Sequence, residues 1–351
     1  MNGSRAFGAG RESPGSSDIA SIVDDVRERG DEAVREWALR LDEVEPRRAE
    51  ADGGIPREAL LALAEAVRRW HECQRPADIR LEMRSGVELE RRWMPLDSVG
   101  IYVPRRLVST LVMCAVPAQV AGVEQIVIVT PPDGSGAVAA AAELLGLSDV
   151  WALGGPHAIG WLAYVRRVAK IVGPGSVHVN EAKLLVSRDV AIDLPAGPSE
   201  VVVLAGAGAD RRIAELELAA QAEHGPDTVC RLVEANGNLE AALAKVEAMA
   251  PEHLVLLGEE AEALAPRIRN AGSVFVGLSS AVAAGDYATG ANHVLPTGGW
   301  ARSVGGLGLE AFLKPLTVQH LTPAGLSALR PVVEALAEVE RMPAHAESVR
   351  R

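Results

Sequence analysis

The chain has 351 residues, enough for about two domains of ordinary size and a helical extension. Hydrophobic residues make up 48% of it and charged residues 23%, a balance typical of a globular protein. Aromatic residues are only 3%, and 47 acidic residues outnumber 35 basic ones, which excludes a base-stacking platform and a broad phosphate-binding surface. We therefore expect no nucleic-acid partner.

Cysteine use and hydropathy predict a reduced, soluble protein of the cytoplasm. Cys73, Cys114 and Cys230 are widely separated and form no CxxC pair, so the sequence indicates neither a disulfide scaffold nor a cysteine zinc site. No run approaches the roughly eighteen consecutive apolar residues of a membrane helix, and we expect no membrane partner. Residues 1–16, rich in Gly, Ser and Arg, lack the apolar stretch of a signal peptide and are predicted to be a disordered tail.

The N-terminal segment, residues 17–97, is predicted to be helices followed by strands. Apolar residues recur at steps of three and four from Ile19 to Val26, and again after Gly30, which is helical periodicity. A third helix is expected to begin at Pro56, since proline suits a first helical turn. Residues 79–103 then have the composition of extended strands.

The centre of the chain alternates short apolar strands with helices, twice over. The first series, residues 98–195, contains IVIVTPP, the Ala-rich AVAAAAELLG, VWALGG and HAIGWLAYV, and the second, residues 196–300, restarts at EVVVLAG. Such alternation predicts βαβ units with parallel sheets covered on both faces. The fold class expected is therefore α/β, with two tandem, incomplete Rossmann-like domains between helical terminal segments. Residues 301–351 are predicted to be helical, through LEAFLKPLTVQHL and LSALRPVVEALAEVERM.

Standard nucleotide fingerprints are absent from the sequence. GPGSVH, beginning at Gly173, has two glycines of a GxGxxG motif but His178 in the third place, and GAGADR at Gly206 fails in the same way. No Walker loop occurs either. A nucleotide, if one is used, is bound without the usual signature.

The richest polar stretch is AELELAAQAEHGPD. Gln221 and His224 are three residues apart at the end of a predicted helix, so an amide oxygen and an imidazole lie on one rim. Gly225 and Pro226 then end the helix. The ordinary alternative is a solvated Gln beside a His that complements the helix dipole. The pair alone is a weak signal.

Three further polar clusters strengthen the indication of a functional site. They are Glu252–His253, Asp286 to His293, and Glu340 with His345. Two imidazoles, a carboxylate and an amide oxygen suit zinc, and an adjacent Glu and His suit proton transfer. Each cluster also has an ordinary interpretation. His345 could be a surface residue, Asp286 a loop cap, and Glu252–His253 a turn before a strand.

These residues carry a family resemblance. AIDLPAGPSEV, QAEHGPD, PEHL, GDYATGANHVLPT, GLGLEAF and ERMPAH, in this order, resemble histidinol dehydrogenase, from about Asp18 to the end. The resemblance implies a homodimer with a shared active site, in which the partner subunit contributes the last zinc ligand. It implies these roles: zinc ligands Gln221, His224, Asp286 and His345; catalytic proton transfer by Glu252 and His253; and substrate contacts from Ser199, His293 and Glu340.

The same resemblance implies oxidation of an amino alcohol, through an aldehyde, to a carboxylate, with two NAD reduced in turn. The implied cofactor-binding positions are Tyr102, His157 and Ser176, of which the last two stand where the family has Gln and Asn. Arg105 and Arg106 replace a glycine pair, and two arginines can grip a phosphate, so NADP remains open beside NAD. The alternative is that the pair forms a solvated loop.

A second departure is a shortening. Between QAEHGPD and PEHL there is room for one strand and one helix, about one βα unit fewer than the family has, which suggests a compact, divergent paralogue. Two other functions stay open at this point. One is a zinc enzyme that has lost nicotinamide use and catalyses a hydrolytic, lyase or isomerase step. The other is a non-catalytic dimeric binding protein.

Overall fold

The computed structural model describes residues 16–52, 54–194 and 197–350. The predicted disordered tail, residues 1–16, lies outside this range except for Ser16, which begins the first helix. The N-terminal segment contains three helices and then strands, as predicted, together with a short extra strand. Its elements are α1 Ser16–Arg29, α2 Asp31–Leu41, β1 Arg47–Arg48, α3 Arg57–Glu72, β2 Ile79–Arg84 and β3 Val87–Pro95.

The first central sheet has the order β1-β6-β5-β4-β7-β8, and β4 to β8 are parallel. Helices cover both of its faces: α3, α4 and α5 pack on one, and α1, α2, α6 and α7 on the other. Buried on nearly every side, α4 is apolar around its whole circumference. The elements are β4 Ser98–Tyr102, α4 Val108–Ala121, β5 Gln125–Thr130, α5 Ser135–Leu144, β6 Val150–Ala152, α6 Gly155–Gly160, β7 Lys170–Val172, α7 Val177–Val186 and β8 Ala191–Ile192.

The second sheet has four parallel strands in the order β10-β9-β11-β12. The helical connection between its last two strands is short, a single α-helical turn and then a 3-10 turn that contains Pro266. The elements are β9 Glu200–Ala205, α8 Arg211–Ala222, β10 Val229–Glu234, α9 Leu239–Met249, β11 His253–Leu257, α10 Glu259–Glu262, β12 Ser273–Val276 and α11 Val282–Tyr287. Two tandem parallel sheets of Rossmann-like type confirm the predicted α/β fold class.

The C-terminal segment departs from its prediction. It ends in helices, but the stretch predicted as a helix from Gly308 forms a 3-10 turn and then a strand, so that prediction was wrong. The strand pairs antiparallel with β3 over nine residues, from Leu313 opposite Pro95 to Leu321 opposite Val87, and β2 completes a three-stranded sheet. Pro315 has no N–H to donate within a helix, whereas a long ladder tolerates it. The elements are β13 Leu313–Leu321, α12 Pro323–Val339 and α13 Pro343–Ser348.

The strand order identifies where each sheet opens a crevice. In the first sheet the order of connections reverses between β4 and β7, and in the second between β9 and β11. At such a switch point the flanking loops diverge and leave a cleft at the carboxyl ends of the strands. In the part of the chain that the structure covers, no helix has the length and apolar composition to span a membrane.

Candidate active site

A cavity of about 270 Å³ lies where the carboxyl edge of the first sheet meets the amino edge of the second. Pro104 and Gly175, from the loops after β4 and β7, line it on one side, which places the cavity beside the switch point of the first sheet. The opposite side brings together seven of the residues singled out from the sequence: Ser199, Gln221, His224, Glu252, His253, Asp286 and His293.

Chain direction explains why these distant residues meet. Ser199 immediately precedes β9, and Glu252 and His253 stand at the start of β11, so all three lie at the amino edge of neighbouring parallel strands. The helix that connects two parallel strands runs back against them. The carboxyl end of α8, which bears Gln221 and is followed by His224, therefore returns to the same edge.

His253 is buried, with 4% of its surface exposed. Its Nδ1 donates to the carbonyl oxygen of Glu200 at 3.1 Å, which makes Nε2 the ring nitrogen with a lone pair. Nε2 has no hydrogen-bond partner among the described residues and lies 3.8 Å from Asp286 Oδ1. Burial alone would lower the pKa of His253, but the carboxylates of Glu252 and Asp286 outweigh it and raise the pKa above its ordinary value.

Glu252 is oriented by the same neighbour. Its Oε2 accepts from the backbone N–H of Glu200 at 2.7 Å and lies 3.6 Å from Nδ1 of His253. The backbone N–H and C=O of Glu200 thus hold both Glu252 and His253, the two residues expected to transfer protons. Sequence reasoning missed Glu200, because its contribution comes from backbone atoms that every residue carries; adjacency to Ser199 is the only hint.

His293 contacts the backbone of Asp286. Its Nδ1 donates to the carbonyl oxygen of Asp286 at 3.1 Å, and its Nε2 is 3.4 Å from Oγ1 of Thr110, a residue buried in α4. Burial lowers the pKa of His293. Thr110 was also missed; its signal was a polar pair, Ser109 with Thr110, at the start of an otherwise apolar helix.

The candidate metal ligands have the donor chemistry of a zinc site. Gln221 is 2% exposed, and its Nε2 lacks a hydrogen-bond partner in the described structure. Since the amide oxygen and nitrogen exchange places on a 180° rotation, this orphaned amide can present its oxygen to an ion. His224 donates from Nδ1 to the carbonyl oxygen of Gln221 at 3.1 Å, which leaves Nε2 for a ligand.

Within one chain this set is incomplete. In residues 16–52, 54–194 and 197–350 no group of three or more His, Cys, Asp or Glu side chains is placed to hold a metal. Such a result is expected for the ligand set that the resemblance implies, because Gln221 is an amide and is not one of these four residue types, and because the last ligand would come from a second subunit. Glu340 and His345 are exposed at the end of α12 and on α13, and in the described chain neither lines the cavity.

The predicted cofactor residues lie at the carboxyl edge of the first sheet. The Tyr102 hydroxyl accepts from the N–H of Gly155 at 3.3 Å, and burial raises the pKa of Tyr102 to about 12. His157 is fully buried, with Nε2 3.2 Å from Oδ2 of Asp42. The side chains of Tyr102 and His157 are thus buried beneath the turn after β6, and neither projects from its surface.

Ser176, unlike Tyr102 and His157, lines a cavity. Its side chain caps the start of α7, and it lines a second cavity of about 350 Å³ that shares Gly175, Ser199 and His224 with the first. The two cavities are therefore neighbours with a common wall. Arg105 and Arg106 are exposed and lie 3.6 Å and 3.2 Å from the carboxylate of Asp133, an arrangement that fits the alternative of a solvated loop.

Comparison with known proteins agrees with this geometry. The family model for histidinol dehydrogenase matches residues 10–245 and 235–351. The histidinol dehydrogenase of Methanosarcina mazei is 38% identical over 95% of this chain and 90% of its own. That of Methanothermobacter thermautotrophicus is 40% identical over 95% and 92%.

Solved structures give the same result. The crystal structure of histidinol dehydrogenase from Elizabethkingia anophelis has a TM-score of 0.88 and 30% identity, covering 97% of this chain and 93% of that one. An acetylating aldehyde dehydrogenase from Geobacillus thermoglucosidasius, at 13% identity and a TM-score of 0.54, shares the fold alone over 87% of this chain and 90% of its own. This chain belongs to the histidinol dehydrogenase family.

Proposed function

We propose that the protein is a zinc-dependent, NAD- or NADP-linked dehydrogenase that oxidises an amino alcohol, histidinol or a close relative, towards the aldehyde and carboxylate. One observation carries the proposal: a buried Glu252–His253 pair opens onto the same cavity as Gln221, His224 and Asp286. The relatives named histidinol dehydrogenase support the substrate class. An acid–base pair beside metal-type donors is what such an oxidation requires.

His253 is proposed to take the proton of the substrate hydroxyl. The hydrogen bond from Nδ1 to the Glu200 carbonyl orients the ring, and Nε2 is the basic atom. When water attacks the aldehyde in a second step, Glu252, held by the N–H of Glu200, would work with His253 to remove a proton from that water. General acid–base catalysis of this kind is worth about 10²- to 10⁴-fold in rate.

Gln221, His224 and Asp286 would hold zinc, and His345 of a second subunit would complete a four-ligand set. Bound zinc would supply a Lewis acid for the substrate's oxygen or nitrogen donors. The unsatisfied Gln221 amide supports this assignment, since a buried amide without a partner is destabilising unless something binds it. Ser199 and His293, on the cavity wall, and Glu340 of the second subunit are proposed to contact the substrate.

The nicotinamide cofactor is proposed to occupy the crevice between β4 and β7 and the neighbouring cavity at Ser176. Two parts of the backbone approach each other closely beside this crevice: a Cβ on Gly173, just after β7, would collide with the carbonyl oxygen of Tyr102 at the end of β4. A bound nicotinamide would supply the hydride acceptor. Ser176 is the contact expected to reach the cofactor directly, whereas Tyr102 and His157 shape the wall beneath it.

The C-terminal arm, residues 313–350, supports a homodimer with shared active sites. It carries Glu340 and His345, and α12 and α13 mainly contact each other and β13. Large apolar side chains along the arm are exposed in the single chain, which suits burial against a second copy. They are Leu316, Leu321, Val332, Leu336, Val339 and Met342.

The compact second sheet is consistent with a shortened paralogue. The alignment to the Methanosarcina mazei enzyme runs over 392 positions, more than the 351 residues of this chain. The two stretches that match the family model meet at residues 235–245, the start of α9, which is where we infer the loss of a βα unit. Localisation in the cytoplasm remains a prediction from the sequence.

The deciding experiment is an assay of the zinc-loaded protein with L-histidinol and either NAD or NADP, following the absorbance of the reduced cofactor. We expect reduction with at least one nucleotide, and a thermal shift when that nucleotide is added. A protein that binds zinc and histidinol but gives neither signal would instead support the non-redox zinc enzyme. Failure to bind zinc as well would support a binding protein.

A further inference from the structure

Lys183 is among the largest fully buried side chains of the described structure, with 1% of its surface exposed. Its Nζ donates to the carbonyl oxygen of Gly173 at 3.0 Å and pairs with the carboxylate of Asp193, whose side chain is 2% exposed. An ion pair withdrawn from water this completely is costly, and apolar residues often fill such space with equal or better stability. Stability is therefore a poor reason for its presence.

The pair binds one residue from both sides. While Lys183 binds the carbonyl of Gly173, Asp193 Oδ2 accepts from the N–H of the same residue at 2.7 Å. The other oxygen of Asp193 accepts from the N–H of Leu194, also at 2.7 Å. Two buried charges thus immobilise the peptide groups of Gly173 and tie them to the chain that leaves the first sheet.

Gly173 lies at the switch point. It follows β7 directly and has a φ of +107°, a conformation that L side chains rarely adopt. The loop it begins leads to Pro174 and Gly175, which line the catalytic cavity. From α7, Asn180 also donates to the carbonyl oxygen of Gly175 at 2.9 Å, so one helix holds both ends of this loop.

The other end of the ion pair leads to the second sheet. Asp193 and Leu194 precede the segment from Gly197 to Ser199, which lines both cavities. The backbone N–H of Gly197 donates to Oγ1 of Thr297 at 2.5 Å, so a residue outside the ion pair also holds this segment. Asp193 therefore holds the loop after β7 directly and lies shortly before the segment that leads into β9.

We propose that Lys183 and Asp193 are a positioning pair, which sets the loop 173–175 at the proposed cofactor crevice and aligns it with the catalytic wall at Ser199. In the described structure neither side chain lines either cavity, so the pair acts through the backbone that it holds. Its kinetic consequence rests on the proposed nicotinamide-linked function. Its structural consequence, an ordered loop, does not.

The kinetic effect is expected to be selective. Loosening the loop would displace the crevice that receives the cofactor, and a misplacement of about 1 Å can cost up to 10²-fold in rate. The candidate zinc ligands Gln221 and Asp286 lie on α8 and α11, and His224 follows α8; in the described residues the side-chain hydrogen bonds that the pair makes to other residues go to Gly173 and Leu194 and to none of these three. Zinc content and histidinol binding should therefore change little.

The test compares Lys183→Met and Asp193→Asn with Leu243→Ala, which destabilises the core beside α9 without touching the loop. In the zinc-loaded full-length protein, we expect roughly tenfold faster amide exchange at residues 173–176 and 197–200 in the pair variants only. We also expect the cofactor KM to rise about tenfold, with histidinol KM changed less than about twofold. Leu243→Ala should lower Tm and leave both readouts unchanged.

The double variant Lys183→Met/Asp193→Asn covers failure of a single variant to fold, because it leaves no unpaired buried charge. Exchange that rises equally over the whole chain, or kinetics that follow Tm as in Leu243→Ala, would overturn the proposal. A wild-type protein that reduces neither nucleotide would refute the proposed function instead. Amide exchange in the loop would then decide the positioning role alone.

Discussion

At the scale of single residues, the orientation of His253 is the feature on which the proposed chemistry depends. Its Nδ1 donates to the Glu200 carbonyl, and its buried Nε2 has no hydrogen-bond partner in the described residues. Replacing it by Asn, which has no basic nitrogen, should lower kcat about 10²- to 10⁴-fold while leaving zinc content unchanged. Steady-state kinetics and metal analysis measure both quantities.

The matched control is His320→Asn, at an exposed position on β13. It should keep wild-type kcat. A His253→Asn protein that retains more than about a tenth of the wild-type kcat would contradict the assignment of the base. An equal loss in His320→Asn would show that the assay responds to damage anywhere in the chain.

The sequence was sufficient to propose that seven candidate residues share a site. It was not sufficient to identify the residues that hold them in place. Gln221, His224 and His253 are recognisable because the side chain itself carries the chemistry. Glu200 acts through its N–H and C=O, and no residue type signals that role. Tyr102 and His157 show a second limit of the sequence. Their positions resemble those of cofactor contacts, but the sequence does not reveal whether a side chain points out of the protein or into its interior.

A buried histidine away from the site should make stability depend on pH. His71 lies in α3 with Nδ1 donating to the carbonyl of Val67, and burial lowers its pKa below the ordinary 6.5. The unfolded chain therefore binds a proton more readily, so stability is complete above about pH 6.5 and falls as pH drops towards the lowered pKa.

Urea denaturation at a series of pH values tests this effect. The free energy of unfolding of the wild-type protein should decrease between about pH 6.5 and 5. The variant His71→Gln keeps a donor but does not titrate, so it should show a smaller decrease over that interval. Identical slopes in the two proteins would refute the assignment to His71.

At the scale of elements, the sequence predicted what local pattern determines and failed where a distant partner decides. The βαβ alternation was correct because each strand and helix buries its own apolar face. Leu309 and Phe312, just before β13, and Leu313 and Leu316 within it follow helical spacing, but the nine residues of β13 pair with β3, from far earlier in the chain. No local pattern encodes that partner.

The junction of β4 and β7 offers a sharp test at this scale. A methyl group on Gly173, at φ +107°, would collide with the Tyr102 carbonyl, whereas a Cβ on Gly146, at φ +74°, would meet nothing described within 4 Å. Gly146→Ala should therefore lower the free energy of unfolding by about 1 kcal/mol, from backbone strain alone. Gly173→Ala should lower it by about 3 kcal/mol or more.

Chemical denaturation of the two variants measures the difference. Both substitutions add one methyl group at a glycine with positive φ, so Gly146→Ala controls for conformational strain. Equal losses of stability would mean that the switch point has room to relax, and that the close approach of β4 to the loop does not constrain the crevice.

At the scale of the whole molecule, seven candidate residues line the cavity, whereas the two candidate residues on the C-terminal arm do not. Gln221, His224 and Asp286 meet in the cavity, while Glu340 and His345 remain exposed on α12 and α13. A second copy that places its arm over the cavity would complete the ligand set and cover the apolar face of the arm. An isologous dimer would do this twice, by symmetry.

Complementation between inactive chains tests this exchange. His253→Asn damages the body of the site and leaves the arm intact, whereas His345→Ala damages only the arm. In a hybrid dimer, the intact body of one chain meets the intact arm of the other, so one of two sites is restored. Random assortment makes half of the dimers hybrid, and co-expressed chains should therefore recover about a quarter of wild-type activity.

Each variant expressed alone should be nearly inactive, and co-expression of His253→Asn with Gln221→Ala, which both damage the body, should give no recovery. That pair is the control for nonspecific rescue. Native mass spectrometry confirms that hybrids form. Hybrids without activity would mean that His345 serves its own chain or none, and the cavity would then need a fourth ligand from another source.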